Sequence, residues 1–286
     1  MKASAVAYRR ATTLDEALAI LDGAGGAARL LAGGQSVVAS LNLRLAEAVD
    51  LVDINHVAEL AGIEDRGDHL RLGALTRHRM LETSPLVAEA APMLAAAAPL
   101  IAHPPIRNRG TLGGSLAYAD PAAELPACML ALEARIVARS TRGSRHIPAE
   151  GFFQGLFQTA LAEDELIEAV EVPRRGGAER QVVLELTRRS GDYAIVGIAL
   201  RADAQGPRLA RSRVVFFGVG EAPVLAPGAM AALDEGDLGA AEAALDGDLD
   251  PPSDLHGSSA FRRHLARVLL RRAAGSLAAR PDAEAA

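Results

Sequence analysis

The sequence predicts an α+β protein in two parts, and three features carry that expectation. Runs of strand length alternate with helical periodicities over roughly the first 175 residues. Two short glycine turns, Gly33-Gly34-Gln35-Ser36 and Gly113-Gly114-Ser115, sit where such runs meet. Past R-R-G-G-A (residues 174–178), the best linker candidate, the pattern becomes three strands followed by Ala-rich helices. With 286 residues and roughly 100–200 per domain, the length fits two domains or one large one. The division expected is 1–175, with subdomains at about 1–56 and 57–175, then 179–280.

In chain order, Thr13 and Glu16 form a capping box before a helix whose Leu14, Leu18 and Leu21 share one face. Gly23 to Gly26 ends it. Residues 28–31 read as a short buried strand that runs into the first glycine turn. A helical turn at about 37–45 and a strand at 49–54 complete a β-loop-α-β unit, with the loop at the strand end where open sheets bind ligands. Residues 69–74 read as a strand and 76–81 as a short helix. Residues 85–101 are Ala-rich and helical, interrupted by Pro92 and Pro99, and His103-Pro104-Pro105 breaks them. A helix follows at 121–133, then strands at 135–140 and 166–172, with Phe152, Phe153 and Phe157 between them.

Beyond the linker, 181–188, 194–202 and 211–219 read as strands, with a turn at 203–207. Two short Ala-rich helices come next. The last element, about 258–274, is a basic amphipathic helix bearing Arg262, Arg263, Arg267, Arg271 and Arg272, either a solvated face or a docking surface for another subunit. The tail after Arg280 reads as disordered.

Composition narrows the function. Half the residues are hydrophobic, yet no charge-free run of about 18 apolar residues exists to span a membrane. The N-terminus lacks the basic and apolar regions of a signal peptide, and the expected location is cytoplasmic. A net charge of −6, spread evenly, argues against nucleic acid as partner. The abundance of Ala, Gly and Arg, with Lys2 the lone lysine, suggests a GC-rich bacterial genome. The single cysteine, Cys128, lies in an apolar run and cannot ligate an iron–sulfur cluster, which needs several thiolates. The 7 histidines show no metal-ligand spacing, and His78 and His103 read as structural or surface residues. No G-x-S-x-G elbow surrounds Ser36 or Ser115.

The stretch 106–126, I-R-N-R-G-T-L-G-G-S-L-A-Y-A-D-P-A-A-E-L-P, organises the rest. Gly113 and Gly114 let the backbone turn sharply and approach a ligand, with Thr111 and Ser115 offering hydroxyls beside exposed N–H groups. Asp120 and Pro121 form a helix-start signal. Residues 30–36, L-L-A-G-G-Q-S, repeat the theme, and two such loops could close on one pyrophosphate. The same residues also suit plain turns between core elements. No G-K-[ST] follows either loop and no G-x-G-x-x-G occurs, so a P-loop or Rossmann site is disfavoured. The chain offers no acid–base or nucleophile machinery, only a way to hold a phosphate-bearing cofactor.

Four stretches together carry a family resemblance: A-G-G-Q-S at 32–36, T-L-G-G-S at 111–115, A-D-P-A-A-E-L-P at 119–126 and R-S-G-D-Y-A at 189–194. In order and spacing the chain resembles the FAD-binding medium subunits of the molybdenum hydroxylases, closest in layout to that of aerobic carbon-monoxide dehydrogenase. The resemblance implies a two-subdomain FAD-binding domain of the PCMH/vanillyl-alcohol-oxidase type, followed by a smaller α+β domain with a three-stranded antiparallel sheet and helices. It implies that Ala32, Gly33, Gly34, Gln35 and Ser36, with Thr111, Gly113, Gly114 and Ser115, hold the FAD pyrophosphate. It places Glu124, where the family more often has Asp, on the adenosine part, with Asp120 positioning that segment. It also implies that Asp192 and Tyr193 lie near the isoalloxazine ring and that Leu161 lines the cofactor. Arg10-Ala11 stands in place of a usual proline, and Leu112 in place of a common isoleucine.

The resemblance further implies an electron relay. A large subunit carries the molybdenum-pterin cofactor, a small subunit carries two [2Fe–2S] clusters, and electrons reach an outside acceptor through FAD in this chain. The assembly implied is a dimer of heterotrimers. Two other functions stay open at this point: a self-contained flavin oxidoreductase on the same fold, and a scaffold subunit without flavin.

Overall fold

Thr13 starts the first helix through its own side chain. Its hydroxyl accepts from Glu16 N at 3.2 Å, and Glu16 accepts from Thr12 N at 2.8 Å, which satisfies donors that a helix start leaves without partners. The structure, a computed structural model, describes residues 6–44 and 50–279. Strand β1 (Tyr8–Arg10) precedes α1 (Leu14–Ala24), which Gly25 closes at φ 53°. Then come β2 (Ala28–Leu31), α2 (Val37–Asn42) and β3 (Asp50–Asp53). The three strands form one parallel sheet in the order β1-β3-β2. Parallel pairing of β2 with β3 needs a crossover, which leaves residues 32–36 at the carboxyl end of β2. The expected turn end at 45, the strand start at 49 and the tail after 280 lie outside the described residues.

The next layer is an antiparallel sheet wrapped by short helices. In chain order its elements are β4 (Ile63–Asp65), β5 (His69–Gly73), α3 (His78–Thr83), α4 (Pro85–Ala90), α5 (Pro92–Ala97), α6 (Pro104–Arg107), α7 (Leu112–Tyr118) and α8 (Glu124–Ala131). They are followed by β6 (Arg135–Ser140), β7 (Gly143–Pro148), α9 (Ala149–Phe152), β8 (Phe153–Gly155), β9 (Gln158–Thr159) and β10 (Leu166–Pro173). The main sheet runs β4-β5-β10-β6-β7. Its central strand β10 buries Leu166, Ile167, Ala169, Val170 and Val172. All of α8 is buried, as a helix that is apolar on every side must be.

Three expectations change here. Pro104 and Pro105 do not merely break a helix; they begin α6, at positions where a missing N–H costs nothing. The helix expected from Pro121 starts at Glu124, because Asp120 Oδ1 accepts from Ala122 N at 2.9 Å and holds a tight turn first. The segment T-L-G-G-S is not a glycine loop but the cap and first turn of α7.

Past the linker, β11 (Glu179–Leu186), β12 (Val196–Gln205), β13 (Arg208–Phe217) and β14 (Val224–Leu225) make an antiparallel sheet in that order. It therefore has a fourth, two-residue strand beyond the three expected. A register shift between Arg201 and Asp203 lets pairing continue to Gln205 opposite Arg208, so the turn tightens to Gly206-Pro207. Helices α10 (Pro227–Glu235), α11 (Leu238–Asp248) and α12 (Ser259–Ala279) cover one face, where Ile198, Leu200 and Phe216 meet Leu269 and Leu270. The other face joins α8 in one continuous core through Ala199, Val215 and Phe217.

Four of the five arginines expected on the last helix find partners inside the chain. Arg271, Arg267 and Arg263 pair with Glu242, Asp246 and Asp250, a four-residue spacing matched in antiparallel. Arg262 is buried. These four arginines are thus engaged within the chain. Among the described residues no helix is long and apolar enough to cross a membrane.

Gly197 sits opposite Phe217 across the β12–β13 ladder, and a Cβ there would stand 1.9 Å from the ring. Gly197→Ala is expected to push Phe217 off its packing and lower stability by about 1–3 kcal/mol, read as a lower urea midpoint.

Candidate functional site

The first glycine turn is braced from behind. Gly33 is buried, and a Cβ on it would stand 2.3 Å from Arg109 O and 2.9 Å from Gly110 Cα, so the two motif regions touch through bare backbone. Gly34 adopts φ 73°, the region glycine enters freely. Gln35 Nε2 donates to Gly33 O at 2.9 Å, folding that side chain back onto the turn. Ser36 precedes α2 without making a side-chain cap. Among the described residues the amides of Gly34, Gln35 and Ser36 reach no protein acceptor. Half-buried unpaired N–H groups at a strand end, gathered on one turn, form a cradle for an anion.

A hydrogen-bonded brace that the sequence reading missed holds this turn. Asn55 Nδ2 donates to Ala32 O at 2.7 Å and to Asp53 Oδ1 at 2.7 Å. Arg77 donates to Asn55 Oδ1 at 2.7 Å and, through its other terminal nitrogen, to Arg109 O. Tyr8 donates its hydroxyl to Asp53 Oδ2 at 2.5 Å. Burial alone would raise the Asp53 carboxyl, but the bonds from Tyr8 and Asn55 hold it below its ordinary range. The one local signal was D-I-N at 53–55, an Asp and an Asn at a strand end.

The second motif is more committed to its own fold than expected. Thr111 Oγ1 accepts from Gly114 N at 3.1 Å, Leu112 N donates to Thr76 O at 2.9 Å, and Gly113 N donates to Ala74 O at 2.8 Å. The exposed amides inferred from sequence are therefore engaged. Gly113 is glycine because its Cβ would lie 2.6 Å from that of Ala74. Gly114 faces out, and an added Cβ would meet only Thr111 Oγ1, at 2.7 Å. Ser115 is half-buried with its hydroxyl open. His78 supports this turn from beneath: its Nε2 lies 3.1 Å from Thr111 O, and burial pushes its pKa down to about 4. A neutral ring with the proton on Nε2 donates to that carbonyl, so His78 is structural.

A carboxyl cluster lies further along. Glu124 is 8% exposed, and burial, with Glu185 and Asp120 beside it, pushes its pKa up to about 8. Burial lifts Glu185 to about 7, and its Oε2 is enclosed without a partner. Burial also raises Asp120. Tyr193 is 72% exposed, yet the protein behind its hydroxyl, then Asp120, Tyr118 and Glu124, raise its phenol above the usual range. Tyr193 lies in the connection between β11 and β12. Tyr118 packs against Phe157 in a tilted pair with centroids 4.9 Å apart. Asp192 is exposed and Leu161 half-buried, and no hydrogen bond joins either side chain to the other site residues among those described. Cys128 is fully enclosed and its thiol is raised by burial, so it is no nucleophile.

Comparisons with known proteins place the chain in a family. The family described as the FAD binding domain in molybdopterin dehydrogenase matches residues 4–175, and the CO dehydrogenase flavoprotein C-terminal domain matches 182–277. The 6-hydroxypseudooxynicotine dehydrogenase complex subunit alpha of Paenarthrobacter nicotinovorans is 40% identical over 280 residues, 95% of this chain and 94% of that one. The carbon monoxide dehydrogenase medium chain of Hydrogenophaga pseudoflava is 34% identical over 279 residues, 96% of this chain and 97% of that one. A solved carbon monoxide dehydrogenase from Hydrogenophaga pseudoflava superposes with a TM-score of 0.93 at 34% identity, over 97% of this chain and 99% of that chain. The resemblance drawn from the four motifs is borne out.

The raised Glu124 carboxyl fixes the sign of a pH effect. Between its ordinary value of 4.5 and about 8, the folded chain keeps a proton that the unfolded chain releases, so stability falls as pH rises through that window. Glu124→Gln removes this loss. In the flavin-free chain its melting temperature is expected to match the wild type near the low end and exceed it increasingly toward the high end, read by thermal unfolding across pH.

Proposed function

The chain belongs to the family of FAD-binding subunits of molybdopterin dehydrogenases, and from that premise we propose that it relays electrons within a molybdenum hydroxylase. The observation that carries this is the turn at residues 33–36, with amides of Gly34, Gln35 and Ser36 unpaired and Gly33 seated on the Arg109 carbonyl. An acidic diphosphate matches such a cradle, and no lysine is needed. Bound FAD would supply the redox chemistry, accepting electrons and passing them to an outside acceptor.

The residues of the chain bind and orient. The amides of Gly34, Gln35 and Ser36, with the Ser36 hydroxyl, would donate to the pyrophosphate, on the turn that Ala32 and Gly33 form. From the second motif, Gly114 and Ser115 face the cofactor, while Thr111 and Gly113 hold the turn beneath them. Asp120 and Glu124 contact the dinucleotide beyond the phosphates, and at neutral pH a largely protonated Glu124 can donate as well as accept. Tyr193 lies against the flavin ring, with Asp192 beside it and Leu161 along the wall. The partners are a large subunit with the molybdenum-pterin cofactor and a small subunit with two [2Fe–2S] clusters, arranged as a dimer of heterotrimers in a bacterial cytoplasm. A lone enclosed cysteine fits clusters held elsewhere. The chain divides at residues 175–179, between its cofactor domain and its C-terminal domain.

The test is Gly114→Val in the chain produced with its neighbouring subunits. An added Cβ there meets only the Thr111 hydroxyl of the cap, worth about 1 kcal/mol, and the position faces out, so the protein should stay folded. The expected result is a folded complex that releases no FAD on heating, while the wild type releases FAD and not FMN. Full FAD content in the variant would contradict the assignment of this turn.

A further inference from the structure

We propose that Arg262, which lies outside all four motifs, is a positioning residue that locks the Tyr193 turn to the Asp120-Pro121 segment and thereby sets how the flavin ring is seated. The inference rests on the flavin-relay reading above.

Three bonds meet at this guanidinium. One terminal nitrogen donates to Ile195 O and, at 2.8 Å, to Gly218 O. The other donates to Asp254 Oδ2 at 2.7 Å. The side chain is 5% exposed, unlike the solvent-facing ladder of Arg263, Arg267 and Arg271 on the same helix. Burying a charge is costly unless its partners are well placed, and here two carbonyls and a carboxylate serve the two terminal nitrogens, while the enclosed Nε has no partner.

Both carbonyls belong to the site. Ile195 lies two residues past Tyr193. Gly218 donates its own N–H to Pro121 O at 2.8 Å, next to Asp120. Gly218 adopts φ 74°, and a Cβ there would stand 2.8 Å from Ile195 O, so the two segments touch directly under Arg262. The far side of the turn is seated as well. A Cβ on Gly191, at φ 85°, would stand 2.5 Å from His103 Cε1 and 3.0 Å from Ala102 O, and Arg107 holds that same carbonyl at 3.1 Å. Tyr193 is therefore carried on backbone fixed at 191 and at 195. Its exposed ring has little packing of its own to orient it, so the backbone must. A planar guanidinium can serve two carbonyls and a carboxylate at once, whereas an ammonium is a point charge on a flexible stem.

The experiment compares wild type, Arg262→Met, Arg262→Lys and Asp254→Asn. Amide hydrogen exchange is read on the flavin-free chain, and visible circular dichroism with FAD content on the loaded complex. In Arg262→Met, Ile195 and Gly218 are expected to exchange about tenfold faster while the centre of β12 is unchanged. The dichroism band of bound FAD should change shape, with partial recovery in Arg262→Lys. Asp254→Asn keeps both carbonyl bonds and is expected to change the exchange at Ile195 and Gly218 less than Arg262→Met does. If Arg262→Met does not fold, Arg262→Lys carries the positive arm, with a smaller change in the same direction. Faster exchange with an unchanged dichroism band would make Arg262 a domain anchor only and overturn the proposal. So would unchanged exchange in a folded variant. A wild-type complex without FAD would overturn the flavin reading and this role with it, whereas FAD in an unaltered band overturns the role alone.

Discussion

Gly33 lies against the Arg109 carbonyl so closely that a Cβ would stand 2.3 Å from the oxygen. Most of the candidate site follows from that contact. It brings the loop after β2 onto the segment that leads into α7, two stretches far apart in sequence and rooted in different sheets. Backbone approaching backbone at this range leaves no space for side chains, and it turns the amides of Gly34, Gln35 and Ser36 away from protein acceptors. The Asn55–Arg77 brace holds both edges of the contact, one residue on the Ala32 carbonyl and the other on that of Arg109. A site built this way is set by the fold before any ligand arrives, which lowers the ordering cost of binding.

The two glycine motifs look alike in sequence and differ in use. At 32–36 glycine frees donors. At 111–115 it lets a helix start hard against β5, with Gly113 closing on Ala74 and Thr111 capping Gly114. The asymmetry suggests a cradle with one donating wall and one shaping wall. Beyond it the electrostatics change character. Glu124, Glu185 and Asp120 crowd a region where burial favours neutral carboxyls, close to the exposed ring of Tyr193.

Much of this could be read from the sequence, for local reasons. The strand A-R-L-L ending in Gly-Gly, the capping box at Thr13 and the strand R-I-V-A-R-S each combine an apolar run with a clear terminator, and the structure places β2, α1 and β6 there. Strands β1 and β7 escaped because almost all their side chains are exposed, so no alternation marks them. Helix α7 was read as loop because paired glycines weigh against helix, and only tertiary packing at Ala74 explains why they are needed. The Asp120-Pro121 start signal was a sound local pattern overridden by an Asp-stabilised turn. Arg267 and Arg271 of α12 find their partners on α11 more than twenty residues away, beyond any local spacing. Asn55 and Arg77 act across 22 residues, which no local spacing reveals.

The measurement that tests the central claim most directly is a side-by-side titration of the flavin-free chain with FAD and with FMN, followed by flavin fluorescence. If paired segments grip a pyrophosphate, FAD binds and FMN, which lacks that linkage and the adenosine, binds at least about a hundredfold more weakly, some 2.8 kcal/mol. Equal binding of the two would mean that the flavin end alone is recognised, and the cradle at Gly33 to Ser36 would have no part in holding the cofactor.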